Sequence, residues 1–229
     1  MFGQIEKLRG GLVVSCQAAK GSPMDDPRII SALALTAEQN GAIGVRINSP
    51  EHIAATKLSV NVPIIGIEKV VTDESEVYIT PTLDVARRIV FSGANIVAVD
   101  ATRRPRPGGE KLETLIGCIR RDLRRPVMAD VATFDEGLYA ADCGADVVAT
   151  TLCGYTRESR QELTPALDLL QRLANRLQIP VVCEGGIGSP DQLKQAFDCG
   201  AFAVVVGTAI TGVGFLVRRF AAASHRPND

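Results

Sequence analysis

The chain has 229 residues, 46 % of them apolar, 22 % charged and 4 % aromatic, with no tryptophan and a formal net charge of −1. That length suits one large domain or two smaller ones. Near-zero net charge excludes a global field that gathers nucleic acid or acidic lipid, and so few aromatics exclude a stacking platform for single strands. No apolar run nears the roughly 18 residues that span a bilayer, and the opening segment with Lys7 and Arg9 lacks the small-residue cleavage site of a signal peptide.

The first apolar run is Leu12–Cys16, ending before Gln17. A helix is predicted over Asp26–Asn40, with Ile29, Ile30, Leu33, Ala34 and Ala37 on one face and Gly41 as its stop. Gly44–Val45 leads to Arg46, and Pro63–Ile67 leads to Glu68-Lys69. Val77–Thr80 is a further strand-like piece, read as a hairpin arm or an alternative strand. Pro81-Thr82-Leu83-Asp84 opens the next helix with Thr82 as N-cap. Ile96–Val99 then precedes Asp100, and Pro126–Ala129 precedes Asp130 and a helix over Thr133–Ala141. Val147–Ala149 stops at Thr150-Thr151, and Pro180–Cys183 at Glu184, with Ser189 capping the helix from Pro190-Asp191. Phe202–Val206 stops at Gly207-Thr208.

These runs are rich in Val and Ile and scarcely alternate, as strands of a parallel sheet covered on both faces do. A helical stretch follows each. The helix ends repeat one phrase: Asn40-Gly41-Ala42, Ser92-Gly93-Ala94, Cys143-Gly144-Ala145 and Cys199-Gly200-Ala201. Eight strand-then-helix units predict an α/β chain folded as a (β/α)8 TIM barrel, a single domain over 1–229. Cysteines 16, 118, 143, 153, 183 and 199 form no Cys-x-x-Cys pair. They read as reduced thiols of a cytoplasmic protein, and no metal site is expected.

In such a barrel chemistry sits where strands end. Only two histidines occur; His52 in the helix after the second strand and His225 in the polar tail both read as surface residues. Proton transfer then falls to other groups. Lys69 and Glu184, ending the third and seventh strands, are the best pair: a desolvated lysine can act as base and a carboxylic acid beside it as proton donor. A Lys–Glu ion pair is the plain alternative. Glu68 should point away from Lys69 and is read as structural. Arg46 suits an anionic group or a developing enolate, or else a rim salt bridge. Asp130 and Asp100 could each orient a substrate hydroxyl or cap a loop, and Gln17 could bond to an amide. Tyr155 either lines the mouth or is an ordinary surface aromatic.

Glycine loops follow the last two strands, Glu184-Gly185-Gly186-Ile187-Gly188 and Gly207-Thr208-Ala209-Ile210. Backbone amides there can hold phosphate, with Gly185, Gly186, Gly207 and Thr208 as the expected contacts. The dense basic stretch from Thr102 to Gly108, with Arg104, reads equally as a lid over an anion or a stiff solvated loop.

Ser15-Cys16-Gln17, Ile64-Ile65-Gly66-Ile67 with Lys69, and Asp100-Ala101-Thr102 with Arg104-Pro105-Arg106-Pro107 resemble segments of the N-acetylmannosamine-6-phosphate 2-epimerases. Thr150-Thr151-Leu152 with Gly154-Tyr155-Thr156, Glu184-Gly185 and Gly207-Thr208-Ala209-Ile210-Thr211 do so too. The likeness runs in order over nearly the whole chain. It implies a cofactor-independent enzyme of sialic acid and amino sugar breakdown that interconverts N-acetylmannosamine 6-phosphate and N-acetylglucosamine 6-phosphate. It also implies that Lys69 is the catalytic lysine and Glu184 its partner, and that Gln17, Arg46 and Asp130 contact the substrate. Family members often carry arginine where this chain has Gly212, and Arg218 and Arg219 are not obvious replacements. A small-molecule sugar phosphate is the expected partner, with no nucleic acid or membrane; a homodimer is compatible with the sequence. The rivals are an aldolase forming a Schiff base at Lys69, another sugar-phosphate isomerase, a non-catalytic sensor, and an interaction scaffold.

Overall fold

The computed structural model describes residues 3–224; His225 lies outside them. The strands are β1 Leu12–Cys16, β2 Gly44–Asn48, β3 Ile64–Ile67, β4 Ile96–Asp100, β5 Val127–Asp130, β6 Val147–Ala149, β7 Val181–Glu184 and β8 Ala203–Val206. Each pairs in parallel with its sequence neighbours, and β1 also pairs with β8, which closes the barrel. The helices are α1 Gly3–Glu6, α2 Pro27–Gln39, α3 Pro50–Lys57, α4 Leu83–Phe91, α5 Leu112–Arg121, α6 Phe134–Asp142, α7 Leu167–Arg176, α8 Pro190–Asp198, α9 Thr208–Thr211 and α10 Val213–Ala222. Among the described residues no helix is long and apolar enough to cross a membrane.

The repeated helix ending has a common geometry. Gly41, Gly93, Gly144 and Gly200 all have positive φ, between 93° and 111°. At each, the glycine N–H and the following alanine N–H bond back to carbonyls of the last helical turn. This is the Schellman stop, and only glycine adopts that φ without strain. Thr82 and Ser189 cap α4 and α8 as the sequence predicts; Thr133, expected as the first residue of its helix, instead caps α6 in a reciprocal box with Glu136.

Two apolar layers result from the pleat. Val45, Ile47, Val97, Val99, Val148 and Cys183 point outward to the helices, while Val13, Ile65, Ile67, Ala98, Met128 and Val205 fill the barrel interior. Alternation of direction along a strand makes position parity decide which side a residue serves. On β2 the inward positions are Gly44, Arg46 and Asn48. Gly44 leaves room for Leu8, whose Cδ2 would lie 2.6 Å from an added Cβ. Arg46 is thus not beyond the strand end, as predicted, but its third residue, 1 % exposed and directed inward. A charge can occupy that place because carboxylates face it across the barrel.

Of the two readings of Val77–Thr80, the hairpin arm is the one found: Lys69 and Ile79 form an antiparallel bridge. One other expectation changes. His52 does lie on α3 but is not a surface residue. It is 7 % exposed, with Nδ1 3.0 Å from the Asn48 carbonyl and Nε2 3.6 Å from Asp25 Oδ1. All six cysteines are free, and Cys16, Cys153 and Cys183 are buried.

Candidate active site

One cavity of about 590 Å³ opens at the C-terminal end of the strands, where Lys69, Glu184, Gly186 and Thr208 share its wall. The long-range pairing of Lys69 with Glu184 read from the sequence is therefore a shared location in space. Gln17, Arg46, Tyr155, Gly185 and Gly207 also face it.

Under the cavity lies a buried ion cluster. Arg46 Nη1 and Nη2 donate to Asp130 Oδ1 and Oδ2 at 3.0 and 2.6 Å. Nη1 also donates to Glu184 Oε2 at 2.7 Å. Thr151 Oγ1 sits 2.6 Å from Asp130 Oδ1 and 3.2 Å from Glu184 Oε2, so its single proton bonds to one of the two. Asp130 is 0 % exposed and lies behind Arg46 rather than in the cavity wall, so it orients the guanidinium instead of reaching the mouth.

The charges balance in an informative way. Arg46 and Asp130 cancel, which leaves Lys69 and Glu184 to hold one proton between them. Burial pushes the Glu184 carboxyl up to about 7; Asp130 adds to this, while Arg46, Thr151 and Lys69 oppose it. Lys69 moves the other way, lowered by enclosure in the mouth and by Arg46. Its side chain is open to the cavity; Glu184 and Asp130 act to raise it, but burial and Arg46 outweigh them. Lys69 Nζ has no hydrogen bond or ion pair with protein among the described residues. An amine easier to deprotonate and a carboxyl easier to protonate approach the condition in which either can give or take a proton.

The glycine loops form the other end of the cavity. Gly185 and Gly186 have φ of 107° and 73°. A Cβ on Gly186 would lie 2.5 Å from Thr164 Cβ, so a side chain is excluded there by space as well as by conformation. The Gly207 carbonyl accepts from Ile210 and Thr211 N–H at 2.8 and 2.9 Å. The Thr208 and Ala209 N–H groups, at the first two positions of α9, have no protein acceptor among the described residues and stand at the cavity wall. Arg219 of α10 faces the same end. Arg219, not an obvious replacement in the sequence for the arginine absent at Gly212, is brought there by the turn at Gly212 (φ −80°, ψ 60°) between α9 and α10.

Arg104 is not brought into the cavity wall. It donates to Asp100 Oδ2 at 2.8 Å and to Thr102 Oγ1 at 3.0 Å. Arg106 is buried and bonds to the Asp100 and Pro81 carbonyls, and Arg103 stacks on Tyr139 at 3.9 Å. The basic stretch is thus pinned to the barrel by all three arginines and is neither a free lid nor a solvated loop. Glu68 pairs with Arg88 at 3.0 Å, as its structural reading requires. Tyr155 is 63 % exposed at the rim. Sequence reasoning gave no role to Thr151 or Tyr78 in the cavity wall and set Ser15 behind Gln17; counting parity from the inward positions finds Thr151, two residues beyond Ala149.

Comparison with known proteins bears on the site. Residues 30–226 match the family model described as "Putative N-acetylmannosamine-6-phosphate epimerase". A relative from Synechococcus elongatus bearing that description as a 2-epimerase is 47 % identical over 222 residues, 96 % of each chain. One from Caldanaerobacter subterraneus, described alike, is 41 % identical over 94 % of this chain and 92 % of its own. The solved N-acetylmannosamine-6-phosphate 2-epimerase of Clostridium perfringens superposes with a TM-score of 0.92 at 39 % identity, covering 96 % of both chains. A thiamine phosphate pyrophosphorylase of Pyrococcus furiosus, at 17 % identity and a TM-score of 0.62, shares the fold alone. A family match over most of the chain, together with near full-length relatives, shows that this chain belongs to the N-acetylmannosamine-6-phosphate 2-epimerase family.

Proposed function

We propose that the protein interconverts N-acetylmannosamine 6-phosphate and N-acetylglucosamine 6-phosphate by moving a proton at C2. One observation carries the reading: Lys69 and Glu184 face one cavity with pKa values displaced toward each other, beside glycine loops with open amides.

In the open-chain sugar, C2 lies next to the aldehyde, so its C–H is acidified by the carbonyl. The phosphate is held by the amides around Gly185, Gly186, Gly207 and Thr208, which fixes the distance from C6 to C2. Neutral Lys69 takes the C2 proton, and the electron pair moves into the carbonyl to give an enolate. The fixed positive charge of Arg46 lowers the cost of that anion. Protonated Glu184 then returns a proton to the opposite face of C2, which inverts the centre. After turnover Lys69 is protonated and Glu184 ionised, the state required for the reverse reaction. Gln17 and Tyr155 contact the sugar chain at the rim. A sugar phosphate does not cross a bilayer, so the same reading places the enzyme in the cytoplasm with its substrate.

The test is NMR of the protein with N-acetylmannosamine 6-phosphate in heavy water. Appearance of N-acetylglucosamine 6-phosphate with deuterium at C2 is expected. No epimer, or a borohydride-trapped adduct on Lys69 as an aldolase would give, overturns the reading.

A further inference from the structure

Lys69 poses a positioning problem. Its amine has no hydrogen bond or ion pair with protein among the described residues, so nothing at the tip of the side chain fixes its direction. It also lies two residues past the end of β3, where ladder bonding to β2 has stopped. Its aim must come from the backbone.

The backbone there is held with unusual closeness. In an evenly spaced parallel ladder, Ser49 N–H bonds to the Ile67 carbonyl, as it does at 2.9 Å, and the next rung would run from Lys69 N–H to the Ser49 carbonyl. That rung is absent because Ser49 turns away at φ 80° and ψ 148°, a region nearly reserved for glycine. Instead, Lys69 N–H donates to the Asn48 side-chain Oδ1 at 2.9 Å. The Asn48 amide thus replaces the missing carbonyl and extends the ladder by one rung. His52 Nδ1–H donates to the Asn48 main-chain carbonyl at 3.0 Å, which holds the accepting residue from below. On the other flank, Thr80 at φ 45° donates its N–H to the Glu68 carbonyl at 2.9 Å and accepts from Glu68 N–H at 3.2 Å. Val70 N–H bonds to the Tyr78 carbonyl at 2.9 Å. Ser49 and Thr80 are two of the three non-glycine residues with positive φ among those described, and both border this one lysine.

We propose that Asn48 is a positioning residue for the epimerisation: its side-chain amide, in a collar strained at Ser49 and Thr80, aims Lys69 at the reacting carbon. This rests on the assignment of Lys69 as the base.

The experiment compares Asn48→Ala with Asn48→Asp in the full-length protein. Asn48→Ala removes the acceptor, and the expected result is a kcat lower by at least tenfold with KM within threefold, since the substrate contacts remain while the base is misplaced. Asn48→Asp keeps an acceptor at the same place and should recover kcat to within threefold at its own optimum. Its carboxylate also favours the ammonium form, so the alkaline limb of the pH profile should move to higher pH. A wild-type kcat in Asn48→Ala, or equal losses in both variants, overturns the proposal. If Asn48→Ala does not fold, Asn48→Asp decides alone. Titration of reductively 13C-methylated Lys69 without substrate should then show a midpoint above wild type, and an unchanged midpoint overturns the proposal. That titration needs no turnover. A wild type inactive on the sugar phosphate would therefore remove the proposed function, while the methyl signal still reports on the collar.

Discussion

The charge balance around Glu184 can be perturbed at a residue that does not line the cavity. Asp130 and Glu184 share two partners, Arg46 Nη1 at 3.0 and 2.7 Å and Thr151 Oγ1 at 2.6 and 3.2 Å. Their charges therefore stand ~5 Å apart. At an effective dielectric constant of ~20, two like charges at that spacing repel by ~3 kcal/mol, or ~2.4 pKa units. The Glu184 side chain is 12 % exposed, and screening by cavity water reduces this to about 1–2 units. Asp130→Asn removes the repulsion and frees Arg46 to serve Glu184 alone. Both effects favour the carboxylate, so the Glu184 pKa should fall from about 7 to roughly 5–6. The epimerase needs one proton on the Lys69–Glu184 pair. Activity is lost at low pH when both groups are protonated and at high pH when neither is, which gives a bell. The acid limb should move down by about 1–2 units in Asp130→Asn. The substrate phosphate titrates near pH ~6 in both proteins and drops out of the comparison. 13C NMR of the Glu184 carboxyl, assigned with Glu184→Gln, reads the same shift without substrate. An acid limb that stays in place or rises would refute this account of the cluster.

Lys69→Ala should abolish epimerisation while leaving stability within about 0.5 kcal/mol, because the side chain is open to the cavity and bonds to no protein group among the described residues; thermal melting and the heavy-water assay check both halves. Arg219→Ala should raise KM for the sugar phosphate about five- to tenfold with kcat little changed, the loss of one exposed charge-assisted contact; an unchanged KM would exclude Arg219 from the phosphate end. Gly186→Ala forces a Cβ to within 2.5 Å of Thr164 at φ 73°. It should cost about 1–3 kcal/mol in denaturant titrations and weaken substrate binding as the loop is displaced.

Much of the architecture was legible because a parallel barrel writes itself in repeated units. β1 and β6 match the apolar runs Leu12–Cys16 and Val147–Ala149 residue for residue. The Gly-Ala endings mark helix stops whose φ values permit little but glycine. Arg46 was misread because a charge in a linear sequence signals the end of a buried run. Within a closed barrel, that charge meets Asp130 and Glu184, 84 and 138 residues away, and such partners leave no local trace. His52 was misread because its burial depends on Asp25, 27 residues earlier on another loop, as well as on the nearby Asn48 carbonyl. Asn48 carries no motif, and its role emerges only from the rung that Ser49 leaves unmade.

The guanidinium at the heart of the barrel belongs at once to the scaffold and to the reaction. Where most barrels of this size place a ring of aliphatic side chains, this one places a cation between two acids, 1 % exposed. Replacing Arg46 strands two carboxylates in the interior, at a cost of about 3–5 kcal/mol, whereas loss of one acid leaves the cation paired with the other. Descendants of this gene can therefore lose the cation at position 46 only together with changes at 130 and 184, and the inheritance of activity is tied to the inheritance of foldability.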